Sequence, residues 1–190
     1  MKMQGIKNIL IVGMLSSLAL HANPLSFDKI VTLQGISFHV TTTGEGSLRQ
    51  LQIVPKGLAG NNVVIHQEID GSVMDVVSED LNADGSPEIY IYTLSAGSGG
   101  YGTVIGYSAN NKKSLSTIYF PEMDVKSKES KGYMGHDRFS IVENSLVRRF
   151  PIYKENDSNA NPTGGTRQLE YKLQMGEASW VLKQIKMTED

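Results

Sequence analysis

Short runs of alternating apolar and polar residues, closed at roughly eight- to twelve-residue spacing by Gly, Asn, Ser or Pro, dominate this sequence and leave little room for helices. The runs fall at 36–43, 49–54, 62–69, 88–94, 103–108, 116–120, 138–142, 146–153, 168–173 and 180–186. Leu51-Gln52-Ile53 and Trp180-Val181-Leu182-Lys183 show the alternation clearly. Gly57, Gly60 and Asn61 separate the second run from the third, and Glu143-Asn144-Ser145 is a natural hairpin turn between 138–142 and 146–153. The nearest thing to a helix is 123–133, which is mostly charged and reads as a loop or a short helix. Residues 156–165 are rich in Asn, Gly, Ser and Pro and read as a mobile surface loop. The pattern predicts a mainly β fold with little helix: an antiparallel sandwich or barrel-like sheet of about eight strands or more.

The first residues carry a different message. Lys2 and Lys7 give a basic start, residues 9–20 are almost wholly apolar apart from Gly13, Ser16 and Ser17, and His21-Ala22 precedes the polar Asn23-Pro24. This is the layout of a secretory signal peptide over 1–22, with cleavage after Ala22 and Ala19 as the second choice. The run is shorter than the ~20 residues that span a bilayer, and it has no charged face of the kind a surface helix shows. The chain has 0 cysteines, so no lipid anchor is expected and no disulfide staples the fold. Residues 23–190 then form one β-rich domain, large enough for a real core. Loss of Lys2 and Lys7 leaves 16 basic residues against 20 acidic ones, a net charge of −4. That balance gives no electrostatic basis for binding nucleic acid.

Chemistry concentrates between residues 80 and 107, which read as turn, strand, exposed loop, strand. Asp80, Asn82, Asp84 and Glu88 set oxygen ligands around Gly85 as calcium loops do. An EF-hand needs a bidentate acid at its twelfth position, which here is Ile91. The alternative is an Asx-rich turn entering a strand. Further on, Gly97-x-Gly99-x-x-Gly102 matches a dinucleotide fingerprint, but that chemistry requires a helix directly after it, and 103–107 alternates like a strand. Ser98 fails as a hydrolase elbow for the same reason, and Ala96 stands where the first glycine belongs. His136 is the later histidine that could serve such a nucleophile as base, while His39 and His66 are expected on strand faces. No His/Asp/Glu cluster has metalloenzyme or triad spacing, so no catalytic residue is assigned and no cofactor is expected. What remains is a binding loop: Ser95, Ser98 and Tyr101 offer hydroxyls, and Gly97, Gly99 and Gly100 leave the backbone slim enough to enter a cleft. On residues alone, a plain hairpin loop without a role stays open.

Residues 80–121, with Ser-Ala-Gly-Ser-Gly-Gly-Tyr-Gly at 95–102 and Tyr-Ser-Ala-Asn-Asn-Lys-Lys-Ser-Leu at 107–115, resemble the periplasmic inhibitors of invertebrate-type (i-type) lysozyme. The leader, the β-rich pattern and the mature length are similar to that family too. The resemblance implies a periplasmic, non-enzymatic lysozyme inhibitor whose Ser- and Gly-rich loop enters the enzyme's cleft. It implies contacts through Ser98 and Tyr101, with Ser95 and the loop glycines beside them, and a homodimer. An envelope protein of unknown role with a calcium-binding 80–88 loop is the alternative.

Overall fold

The computed structural model describes residues 27–190; the leader expected over 1–22 lies outside them. Among the described residues the fold is almost wholly β, with two sheets and a single 3-10 turn at Lys128–Ser130. The smaller sheet is an antiparallel meander of β1 (Asp28–Leu33), β2 (Ile36–Thr43), β3 (Leu48–Lys56) and β4 (Ile65–Asp70). The larger, curled sheet holds β5 (Ser72–Glu79), β6 (Glu88–Leu94), β7 (Gly102–Asn110), β8 (Ser114–Tyr119), β9 (Arg138–Val142), β10 (Ser145–Pro151), β11 (Thr166–Met175) and β12 (Trp180–Glu189). Its spatial order is β5-β6-β7-β8-β12-β11-β10-β9. Every ladder is antiparallel except the short parallel contact of β8 with β12 at Trp180–Ile118 and Val181–Tyr119. The expected sandwich or barrel-like β fold is what the chain adopts.

Side-chain alternation explains how the sheets join. On β6, Ile89 and Ile91 point to one face and meet Phe38, Val40, Leu51 and Ile53 of the small sheet together with Val76 and Ala109. Tyr90 and Tyr92 point to the other face, into the hollow of the curled sheet, with Val104, Ile118, Leu146, Phe150, Leu169 and Leu182. β6 is therefore buried on both sides and forms a wall common to two apolar clusters. Ile89 and Ile91, both fully buried, are each worth roughly 1.5–3 kcal/mol, which fixes β6 firmly. The curl closes over it: Phe139 on edge strand β9 stacks on Tyr92 with ring centroids 5.6 Å apart.

Gly71 carries the chain from β4 to β5 with φ +91°, and a Cβ there would lie 1.9 Å from the Leu94 carbonyl oxygen. Only glycine lets the two strand ends approach this closely. Glu143 and Asn144 both have positive φ, +46° and +56°, which makes the expected β9–β10 turn of the kind that matches strand twist. The Gly71 turn fixes the neighbourhood of the β6–β7 loop.

Candidate functional site

The loop between β6 and β7 projects from a strand buried on both sides. Its base is closed twice: the Ser95 N–H donates to the Tyr101 carbonyl at 2.9 Å, and the Tyr101 N–H donates to Ser95 Oγ at 3.1 Å. Gly97 and Gly100 take positive φ, +117° and +52°, and turn the chain back on itself. Ser98 is exposed, and Tyr101 is 51% exposed. Ser95 thus acts as the clasp of the loop, while Ser98 and Tyr101 carry its free surface.

Segments far along the chain hold the tip. The His136 N–H donates to the carbonyls of Gly99 (2.6 Å) and Gly100 (3.1 Å), and the Asn159 amide donates to the Ser98 carbonyl at 2.9 Å. Three consecutive carbonyls are therefore occupied from outside the loop. Gly135 makes the first contact possible, because a Cβ there would fall 2.1 Å from the Gly99 oxygen. At Gly99 an added Cβ would meet the Tyr101 ring at 2.5 Å, so a larger residue there displaces the tyrosine before it blocks any cleft.

Beneath the loop lies a buried ionic network. Asp137 accepts from Arg148 Nε at 2.7 Å, from the Gly102 N–H at 2.6 Å, and from the Tyr133 hydroxyl. Arg148 also donates to the Tyr133 oxygen at 2.7 Å. The guanidinium is surrounded by the rings of Phe120, Tyr133, Phe139 and Phe150, with centroids 5.1–6.0 Å from its carbon. Its bond to Asp137 and that carboxylate's charge overcome the effect of burial and hold its pKa above the usual value. Burial pushes the Tyr133 phenol up as well, and its bond to Asp137 adds to the shift. The Tyr133 ring meets Tyr101 edge-on at 5.6 Å, so the network touches the loop through both backbone and ring.

Sequence reasoning did not find Tyr133, His136, Asn159, Asp137 or Arg148 as supports of the loop. One signal was available: Leu146, Arg148 and Phe150 share a strand face, and a charge at an inward position implies a buried partner. The 156–165 segment, expected to be mobile, is tied down. Asp157 accepts from the N–H groups of Lys154 (2.7 Å) and Thr163 (2.8 Å) and from the Thr163 hydroxyl at 2.8 Å. These bonds also hold the Asp157 carboxyl below the usual range.

The 80–88 loop forms a compact oxygen cluster. Asp80 accepts from the N–H groups of Asp84 and Gly85, both at 3.0 Å, and from the Gln34 amide at 2.7 Å. Asn82 accepts from the Asp84 N–H at 3.0 Å, and Asp84 accepts from the Ser86 N–H at 2.8 Å. This is the Asx-rich turn expected at the entry to β6. Glu88 is fully buried, bound by the Leu81 N–H at 2.8 Å and the Ser108 hydroxyl at 3.2 Å. Desolvation pushes its pKa up to about 7; the charges of Asp80 and Asp84 add to this and the two hydrogen bonds oppose it. Oxygens of Asp80, Asp84 and Glu88 lie within 4.8 Å of one another, close enough for one cation to reach all three. Ile91 is buried in the core, so the EF-hand geometry is absent.

The other chemistries considered for the loop find no support in the geometry. Strand β7 follows Gly102, so neither the glycine fingerprint nor Ser98 opens a helix. His136 Nε2 meets Asn159 Oδ1 at 3.2 Å, and His39 and His66 lie on β2 and β4 as expected. No protein-family model, no curated protein and no solved structure matches the chain. The fold and site define a β protein that presents a short, externally braced Ser/Gly/Tyr loop.

Proposed function

We propose that the chain is an exported, periplasmic inhibitor of lysozyme, of the i-type foremost, that acts by inserting the 95–101 loop into the enzyme's cleft. The observation that carries this reading is the bracing of three consecutive loop carbonyls, Ser98, Gly99 and Gly100, by His136 and Asn159. A loop held in one shape before binding loses less conformational entropy when it binds. Lysozymes act through a pair of carboxyl groups set in a groove, and burying those groups without partners is costly. The Ser98 and Tyr101 hydroxyls can each donate to such a carboxylate, a bond worth roughly 1.5–3 kcal/mol. The inhibitor performs no chemistry, so it is neither consumed nor attached.

Lysozyme assays with the purified mature chain test this. Ser98→Ala and Tyr101→Ala should each weaken inhibition about tenfold or more while the chain still folds. A folded Ser98→Ala/Tyr101→Ala double variant that inhibits fully would exclude loop insertion. Absence of inhibition of any lysozyme class by the wild type would exclude the function.

The alternative, an envelope protein with a calcium-binding 80–88 loop, is favoured by the convergence of the Asp80, Asp84 and Glu88 oxygens. It predicts that calcium chloride added to chelator-stripped protein raises the melting temperature; a hundredfold excess over Kd stabilises by about 2.7 kcal/mol. Our reading predicts no shift, and calorimetric titration of the stripped protein separates the two.

A further inference from the structure

The β9–β10 hairpin places two arginines directly opposite each other: Arg138 is the register partner of Arg149. Both are exposed. Directly opposed like charges destabilise a sheet. Arg149 Nε donates to the neutral Gln168 amide oxygen at 2.6 Å. Among the described residues, no ion pair includes Arg138 or Arg149. Nearby acids are engaged elsewhere: Asp137 with Arg148, Glu170 with Lys186, Asp75 with Lys29. Asp190 is the acid that lines the same groove.

That groove, about 850 Å³, runs from the arginines to His136 and Asn159, the two residues that hold the loop tip. At its loop end, the His136 ring stacks on Tyr153 with centroids 6.2 Å apart. His136 has φ +59°, a left-handed conformation that costs a non-glycine residue roughly 1–3 kcal/mol. The same residue's N–H grips Gly99 and Gly100, and Asn159, also in the groove wall, grips Ser98. Groove and loop are therefore one continuous surface.

We infer that this groove is a second contact surface for the lysozyme, in which Arg138 and Arg149 dock against acidic side chains at the rim of the enzyme's cleft and steer the loop into it. The inference rests on the inhibitor reading of the loop. A cleft holding catalytic carboxylates concentrates negative potential at its mouth. The mature chain carries a net charge of −4, so its average field opposes approach to such a mouth. Two guanidinium forks outside any ion pair of the described residues oppose that field locally and match carboxylate geometry. Rim charges of this kind act on association more than on dissociation.

The test measures association and dissociation rates of the full chain with an i-type lysozyme at low and high salt. The variants are Arg138→Glu/Arg149→Glu, the milder Arg138→Gln/Arg149→Gln in case the first fails to fold, and Lys56→Glu as a remote charge control. Association by the arginine variants should fall about tenfold or more at low salt and lose most of its salt dependence. Their dissociation rates should change far less, and Lys56→Glu should leave both rates near wild type. Unchanged association in folded arginine variants, with inhibition still lost in Ser98→Ala/Tyr101→Ala, overturns the groove and leaves the loop standing. A fall of equal size in Lys56→Glu reduces the effect to net charge and also overturns it. A wild type that binds no lysozyme overturns both readings.

Discussion

Asp137→Ala should destabilise the protein by about 3–5 kcal/mol, the usual cost of stripping one partner from a buried ion pair. The side chain of Asp137 is wholly enclosed and that of Arg148 is 5% exposed. Without the carboxylate, Arg148 remains charged among four rings, with the hydroxyl oxygens of Tyr133 and Tyr171 as neutral partners. At this chain length the melting temperature should fall by on the order of 10 °C. The loop should suffer as well, because Asp137 accepts the Gly102 N–H at the point where β7 begins. Replacing the pair together, as Asp137→Leu/Arg148→Met, removes the stranded charge and should recover most of the stability. It cannot restore the acceptor for Gly102, so hydrogen exchange at that amide should stay fast and inhibition should stay weak. Denaturant titration together with amide exchange separates the two effects. A single Asp137→Ala variant that melts with the wild type would show that the network supports neither core nor loop.

Strands that alternate cleanly were legible in the sequence. β2, β6 and β9 fall at the expected residues, and the other strands that were read differ from expectation by a few residues at their ends. β1 and β5 were not read. β1 has an alternating burial pattern with no fully buried residue, so its sequence shows little of an apolar face. In β5 a register shift between Val73 and Asp75 breaks the alternation, and its buried residues Val73 and Val76 fall out of step. The turn at Glu143-Asn144 was legible because it is purely local.

The loop was legible for a related reason: its chemistry is written in eight adjacent residues. Its supports were not. Gly102 meets Asp137 35 positions away, and Ser98 meets Asn159 61 positions away. No local period encodes such contacts; they exist because the large sheet curls and brings β9 over β6. Asn159 was misread for the complementary reason. Asn, Ser, Gly and Pro signal a turn-rich segment, and the same polar side chains supply the bonds that tie 156–165 down once a partner is near.

Wild-type stability, measured in the presence of a chelator, should fall as the pH rises from about 4.5 to above 7, and Glu88 should be the cause. Its carboxyl has no exposed surface, and its pKa is pushed from 4.5 to about 7, chiefly by desolvation. Below pH 4.5 the group is protonated in both folded and unfolded chains and costs nothing. Between 4.5 and about 7 the unfolded chain releases the proton while the folded chain keeps it, so each step up in pH favours unfolding. One pH unit of such difference is worth about 1.4 kcal/mol, which puts the whole loss on the order of 3–4 kcal/mol. The carboxyls held below the usual range, Asp157, Glu129 and Glu170, have the opposite sign: the stability they contribute is lost as the pH falls below about 4.5. Their window lies under that of Glu88 and does not mask it. Glu88→Gln keeps an oxygen for the Leu81 N–H and offers an N–H to the Ser108 hydroxyl, so this variant should lack the fall and be the more stable protein at pH 8. Calcium tests the alternative in the same experiment, because a cation between Asp80, Asp84 and Glu88 would favour the ionised carboxyl and restore wild-type stability at pH 8. Urea titrations of wild type and Glu88→Gln at pH 5 and pH 8, with chelator and with calcium, give the full comparison. Parallel pH profiles for the two proteins in chelator would mean that Glu88 ionises in place without cost.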